Sequence, residues 1–319
     1  MISPQLLKKR IGGIKNVNQI TSAMELVAAT KMRRAQETAL NSRPYALSAL
    51  EMLADISEGL AMELDNSKIF QSSLLEKRTI KSTMIVLIAA DKGLAGPFNG
   101  AVFKKLENFL ENTDSKNGPE FTYLAVGQRA ADYLKRKRAD IVAQFTKFGD
   151  VFKYAEIEPL AAQLVRGYED KKWDRVIVFS TNFLSALRQE VIMRQLLPID
   201  VVKIRETVQE LVPETGRYAE LRRSLIEARP ARPQEFLIEP SPEIAINALL
   251  PLLFKMQIYH IILEANASEH SARRLAMKNA TDNASKLISE LTLEYNRSRQ
   301  AIITKEISEI TSTAAALQK

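Results

Sequence analysis

From Leu252 to Lys319 the chain contains neither proline nor glycine. A helix over that stretch spans about 100 Å at about 1.5 Å per residue, far more than a compact domain of this size needs. At the other end, no proline falls between Pro4 and Pro44, and Leu6 to about Tyr45 reads as a second long helix. Neither helix closes a core alone, so each needs the other, and an α/β segment sits between them.

The N-terminal helix carries an apolar line through Leu7, Ile11, Ile14, Val17, Ile20, Met24 and Val27. Steps of three and four residues put these on one face. Gly12 and Gly13 interrupt the line, each weakening the helix by about 1 kcal/mol relative to alanine. At the other end, Ser241-Pro242-Glu243 supplies a cap, a first-turn proline and an acid at the positive end of the dipole. Pro251 then kinks this helix or begins a new straight segment. Leu252 to Leu263 is apolar almost all round, which predicts burial against the α/β segment. Ile303, Ile307, Ile310, Ala314 and Leu317 return to steps of four and three, the spacing of a coiled coil. The expectation is an antiparallel pair whose seam includes Ile14, Val17, Ile20, Ile303 and Ile307. The last turns of the longer helix should project past its partner as a small apolar tip.

The middle alternates strand and helix. Thr83 to Ala90, Phe121 to Val126, Ile141 to Phe145 and Arg175 to Ser180 read as strands, and Glu190 to Ile199 as an edge strand. Helices are predicted over Ala101 to Glu111, Gly127 to Arg138 and Ile157 to Gly167. The alternation implies a mostly parallel, Rossmann-like sheet. The charged, proline-rich stretch from Val201 to Glu239 reads as a loop or small hairpin.

At 319 residues and 46% apolar composition the chain can bury a real core. It has no cysteine, which rules out disulfides, thiolate metal sites and a cysteine nucleophile. With only His260 and His270, a histidine metal cluster is disfavoured. The first residues lack the apolar core of a signal peptide. The apolar runs Met84–Ala90 and Ile244–Phe254 are too short or too interrupted to cross a bilayer. The reading is a cytoplasmic or peripheral soluble protein.

The net charge of +7 is unevenly placed. Between Met1 and Pro44, Lys8, Lys9, Arg10, Lys15, Lys31, Arg33, Arg34 and Arg43 face only Glu25 and Glu37. A basic rod seeks an acidic protein surface, nucleic acid or anionic lipid, or is simply a solvated face. Nucleic acid is the weaker choice, because the basic residues are not interleaved with aromatics and no binding module appears. The loop Asp91-Lys92-Gly93-Leu94-Ala95-Gly96 sits where doubly wound folds bind phosphates. It lacks both G-x-x-x-x-G-K-[ST] and G-x-G-x-x-G. A tight strand-to-helix turn is the favoured reading, with nucleotide binding as the alternative. Asp91 has no paired acid, histidine or nucleophile near it in sequence, and His260 on its apolar helix reads as a core or interface residue.

Longer motifs carry a resemblance. ITSAMELVAATKMRRAQ with RPYA near the N-terminus, DKGLAGPFN after the first strand, and SEHSARRLAMKNATDNASKLI followed by LEYNRSRQAIITKEISEI resemble the gamma subunit of F-type ATP synthase. The likeness covers most of the chain; the segment Val201 to Glu235 does not match the family pattern and reads as a lineage-specific extension. The DKGLAGPFN loop also departs from it, with alanine and proline where relatives often carry cysteine and a second glycine. With no cysteine anywhere, the dithiol switch of the chloroplast type is excluded.

The resemblance implies a central rotor shaft that couples ion-driven rotation of the c ring to conformational cycling of the catalytic beta subunits, or the reverse. The implied fold is a long antiparallel coiled coil of N- and C-terminal helices with a central Rossmann-like α/β foot. The implied division is 1–60 for the first helix, 78–200 for the foot, 201–240 for a variable loop or hairpin, and 241–319 for the second helix. Partners would be three alpha and three beta subunits, an epsilon subunit and the c ring, with no nucleic acid and membrane contact only through the ring. The location would be the cytoplasmic face of the bacterial plasma membrane. No catalytic residue, cofactor or metal is implied on this chain. Met24, Lys31, Arg33, Arg34, Arg299, Gln300 and Thr304 would contact beta. Ile310, Ala314 and Leu317 would form a bearing tip, and Glu239 would lie near the c ring and epsilon.

Overall fold

The structure, a computed structural model, describes residues 3–63, 72–113, 118–146, 152–199 and 241–317. For 39–63, 242, 243, 246 and 314–317 it describes the backbone alone. The expected loop or hairpin between Val201 and Glu239 lies outside the described residues. Two compact units emerge, Met1–Ala29 with Arg273–Lys319, and Thr30–Ala272.

The first helix, α1, runs from Pro4 to Glu63, through Pro44 and past the end near Tyr45 read from the proline spacing. In the first unit α1 lies antiparallel to the C-terminal part of the last helix, α5 (Pro242–Leu317). The Thr281 and Thr21 hydroxyls lie 2.8 Å apart, and the Asn18 amide reaches the Thr281 carbonyl and the Ser285 hydroxyl, both at 2.9 Å. On α1 a line of covered positions runs through Leu7, Ile11, Ile14, Asn18, Thr21, Glu25 and Ala28, flanked by half-buried Met24 and Ala29. On α5 they are Met277, Thr281, Ala284, Ile288, Leu291, Tyr295 and Ser298. Both lines alternate strictly by fours and threes, the phase of a left-handed coiled coil.

The expected seam therefore needs correcting. Ile14 is in it, but Val17 and Ile20 are 52% and 59% exposed, because the seam moves one residue on, to Asn18 and Thr21. Ile303 and Ile307 are 46% and 56% exposed. Thr21 opposes Thr281, so counting seventeen residues each way sets Pro4, where α1 begins, opposite Ser298. The isoleucines lie past the end of their partner.

The second unit is a three-layer α/β fold. Strands β1 (Ser82–Ile88), β2 (Glu120–Val126), β3 (Ile141–Phe145), β4 (Arg175–Phe183) and β5 (Gln189–Leu197) form one sheet in the order β3-β2-β1-β4-β5. The first four are mutually parallel, and β5 pairs antiparallel with β4 at the edge. Helices α2 (Phe98–Glu111) and α3 (Gln128–Arg136) follow β1 and β2, and α4 (Glu158–Glu169) precedes β4.

Alternate strand residues feed two cores, as the two-residue period demands. Ile85, Leu87, Ala125, Ile177 and Phe179 meet Val102 and Leu106 of α2 and Ala130 and Leu134 of α3. Met84, Val86, Ile88, Val126, Val176 and Val178 meet Leu160 and Leu164 of α4 and the stretch of α5 from Leu250 to Ala265. This explains why that stretch of α5 is apolar almost all round. Ser241 caps the helix, its hydroxyl accepting from the Ile244 amide at 3.4 Å, and the helix runs on through Pro251. By composition alone, 247–313 contains a window apolar enough to span a bilayer, contrary to expectation. That window is 67% buried inside the protein, the mark of a core helix.

Candidate partner-contact surface

The glycine loop after β1 is the first place to look for chemistry, and its polar groups are taken up by the fold. The Asp91 carboxylate accepts the backbone N–H of Gln128 at 2.9 Å, at the start of α3. It caps the N-terminus of α3, the helix after β2, with its negative charge at the positive end of the dipole. Asn99 accepts the Ala90 amide at 2.9 Å, and the Arg129 amide donates to the Ala90 carbonyl at 3.0 Å. Gly127 adopts φ 92, and a Cβ there would stand 1.9 Å from the Ala89 carbonyl oxygen. Leu94 and Gly96 take φ 64 and 56, the left-handed conformations of a tight turn. The loop is thus a strand-to-helix turn whose acid serves as a cap.

A groove between α2 and α3 is lined by Gly93, Asn99, Phe103, Arg129, Asp132, Lys135 and Arg136 and encloses about 490 Å³. Phe103 stacks on Tyr133 with ring centroids 4.1 Å apart, and Tyr133 donates to Glu107 at 2.9 Å. Lys137 lies 2.7 Å from the same carboxylate. Hydrogen bonds from Lys137 and Tyr133 hold Glu107 below the usual carboxylate range, and burial with the Glu107 bond pushes Tyr133 up. No cluster of histidine and acid that could hold a metal exists among the described residues. His260, as expected, is a core residue, 1% exposed and edge-on to Tyr259.

The first unit offers a different kind of surface. Val17, Ile20, Leu26, Val27, Leu287 and Leu293 are all more than 40% exposed on a rod only two helices thick. Met24 is half-buried beside them. From Arg299 to Thr313 every residue of α5 is exposed, including Arg299, Gln300, Thr304 and Ile310. Along the tail the Ser308 hydroxyl donates back to the Thr304 carbonyl one turn earlier at 2.8 Å, so this polar group is satisfied within the helix. The side chains of Ala314 and Leu317 lie outside the described residues, as does Glu239.

Lys31, Arg33 and Arg34 belong to the second unit. Lys31 is half-buried, while Arg33 and Arg34 are exposed. Arg33 pairs with Glu37 one turn on at 2.9 Å, with side chains 80% and 55% exposed. Pairs that open contribute about 0.3–0.5 kcal/mol and exchange readily for an acid on another molecule. Sequence reasoning missed the polar belt Asn18–Thr21–Thr281–Ser285. Its signal was available, since four and three steps continued from Ile14 fall on Asn18 and Thr21.

Known proteins resemble this chain along nearly its whole length. A family model described as ATP synthase matches residues 3–317. The ATP synthase gamma chain of Roseiflexus castenholzii is 38% identical, with 99% of each chain covered. That of Opitutus terrae is 40% identical over 97% of each. Among solved structures, a chain of the Euglena gracilis mitochondrial ATP synthase, in an assembly of OSCP, F1 and c-ring, matches with a TM-score of 0.62 and 17% identity. That match covers 98% of this chain and 94% of the other. A central stalk and c-ring structure from Tetrahymena thermophila gives a TM-score of 0.56 at 24% identity, over 82% and 99%.

Proposed function

Because this chain belongs to the ATP synthase gamma-chain family, we propose that it is the central rotor shaft of an F-type ATP synthase, turning between the c ring and the catalytic head. The observation that carries this reading is the first unit. A two-helix rod that leaves Val17, Ile20 and Val27 half-exposed, with a tail from Arg299 to Thr313 exposed throughout and covered by nothing among the described residues, is built to be enclosed. Enclosure by a ring of alpha and beta subunits buries that surface. The same rod is long enough to carry torque along its axis.

In this reading the chain transmits torque and supplies no catalytic group; ATP is made on beta. Met24, Arg299, Gln300 and Thr304 meet beta loops, and so do Lys31, Arg33 and Arg34. Exposed ion pairs, worth about 0–1 kcal/mol each, suit a contact remade at every step of rotation. Ile310, Ala314 and Leu317 turn inside a collar. The α/β unit is the foot on epsilon and the c ring, with Glu239 nearby, and the whole stands at the cytoplasmic face of the membrane.

Co-expression with the alpha and beta subunits of the same source tests this. The expected product is a complex with a single copy of this chain and an ATPase activity that depends on it. A chain that stays alone in the presence of folded alpha and beta overturns the reading.

A further inference from the structure

The first unit contains a conflict between two phases. The apolar line on α1, Leu7, Ile11, Ile14, Val17, Ile20, Met24, Val27, uses three-residue steps from Ile14 to Val17 and from Val17 to Ile20. The covered line keeps the heptad and passes through Asn18, Thr21, Glu25 and Ala28 instead. Following the apolar line requires a local overwinding of the helix, the effect of a three-residue stammer. Hydrophobic burial alone favours that route, since Val17, Ile20 and Val27 are left 52%, 59% and 51% exposed.

What opposes it is a connected set of hydrogen bonds. Asn18 spends both amide hydrogens across the seam, on the Thr281 carbonyl and the Ser285 hydroxyl. The Thr281 and Thr21 hydroxyls lie 2.8 Å apart and divide their two protons between each other, the Met277 carbonyl at 2.9 Å and the Asn18 carbonyl at 3.0 Å, so the Asn18 amide supplies the fixed cross-helix donors. A shift to the apolar phase breaks every cross-helix member at once. A polar residue at one seam position is a known way for coiled coils to select register at some expense in stability.

We propose that Asn18, Thr21, Thr281 and Ser285 form a phase lock. The belt keeps α1 in strict heptad phase against α5 and holds Val17, Ile20 and Val27 out of the seam, where they stay on the outer surface of the rod. The lock stands on the hydrogen bonds and the exposures, and it holds whether or not the rod turns.

The test uses the full chain, which is free of native cysteine. Thr21 opposite Thr281 sets Glu25 opposite Met277. Glu25→Cys with Met277→Cys reports the heptad phase, and Met24→Cys with Met277→Cys reports the shifted phase. Disulfide formation under mild oxidant is compared in the native belt and in Asn18→Ala/Thr21→Ala/Thr281→Ala. The native belt is expected to favour the Glu25 pair. The alanine belt is expected to move the ratio toward the Met24 pair by about tenfold, which corresponds to about 1.4 kcal/mol. Thr21→Ser/Thr281→Ser, which keeps both hydroxyls, is expected to retain the native preference. An unchanged ratio in the alanine belt overturns the proposal. Loss of both cross-links overturns it too, because the belt then holds the helices together rather than setting their phase. A serine belt that inverts the ratio also counts against it.

Discussion

Replacing Gly127 with alanine is expected to unfold the α/β unit's β2–α3 turn. The backbone there sits at φ 92 and ψ 147, a region open essentially to glycine alone that costs an L-residue about 1–3 kcal/mol. The new Cβ falls 1.9 Å from the Ala89 carbonyl oxygen, which is backbone in the turn after β1 and cannot swing aside like a side chain. Relief requires β1 and β2 to part at their ends. Three bonds cross that point: Ala89 N–H to the Val126 carbonyl at 2.9 Å, Gln128 N–H to the Asp91 carboxylate at 2.9 Å, and Arg129 N–H to the Ala90 carbonyl at 3.0 Å. At about 1 kcal/mol net for each bond lost, strain and bonds together come to about 4–6 kcal/mol. Gly100 in α2 is the control, since a Cβ there meets nothing within 4 Å. Alanine at 100 should be neutral or stabilise by up to about 1 kcal/mol. Trp173, the single tryptophan and 3% exposed in the same unit, reports unfolding by fluorescence in urea. If Gly127→Ala melts within 1 kcal/mol (about fivefold in the folding constant) of the parent, the turn is not the tight structural crossing described here.

Other perturbations separate structure from contact. Tyr123, Tyr133, Tyr168 and Tyr259 are held above the ordinary phenol range, chiefly by burial, so the folded unit retains their protons longer than the unfolded chain. That stability is fully present below about pH 10 and is lost as pH rises through the raised values; phenolate absorbance should appear together with loss of helicity, and ionisation without unfolding would contradict the burial. Asp91→Ala removes the acceptor at the start of α3 and should cost about 1 kcal/mol, while Asp91→Asn retains most of it; equal loss in the two would assign the effect to charge rather than the hydrogen bond. Neutralising Lys31, Arg33 and Arg34 together should leave urea stability within about 0.5 kcal/mol and change turnover of the assembled complex more than its yield. Failure to assemble would make these residues structural.

The α/β unit was legible because its signals are local. Buried strands such as Met84–Ile88 are continuous apolar runs, and the helices between them carry their own stripes. The observed bounds of β3 match the expected Ile141 to Phe145, and β5 is an edge strand as read. Proline spacing alone stopped α1 near Tyr45, because no side-chain pattern marks its passage through Pro44; the longer extent of 1–60 came only with the family resemblance. The rod was legible as a pair and misread in phase. An apolar stripe on one helix reports what that helix buries against everything it touches. It does not say which part faces the partner helix and which faces another protein. Asn18 and Thr21 are polar and were passed over, although only the second helix could reveal that Thr281 and Ser285 wait opposite them.

This ambiguity turns into an experiment once the two roles are assigned to different residues. Ile14 lies in the seam, half-buried against α5, whereas Val17 and Ile20 are more than half exposed. Ile14→Ser removes apolar surface from the helix pair and should weaken it by about 1–2 kcal/mol. Val17→Ser with Ile20→Ser should change the pairing by no more than about 0.5 kcal/mol at each site, because little is buried there within the chain. The same double change strips the outward stripe, so it should lower the yield of complex with alpha and beta while the helical signal of the free chain stays. Cross-linking through Glu25→Cys and Met277→Cys distinguishes the outcomes, since it reads pairing directly. If the double serine variant loses that cross-link as severely as Ile14→Ser, then Val17 and Ile20 hold the rod together after all. The heptad line through Asn18 and Thr21 would then not be the seam on which the two helices meet.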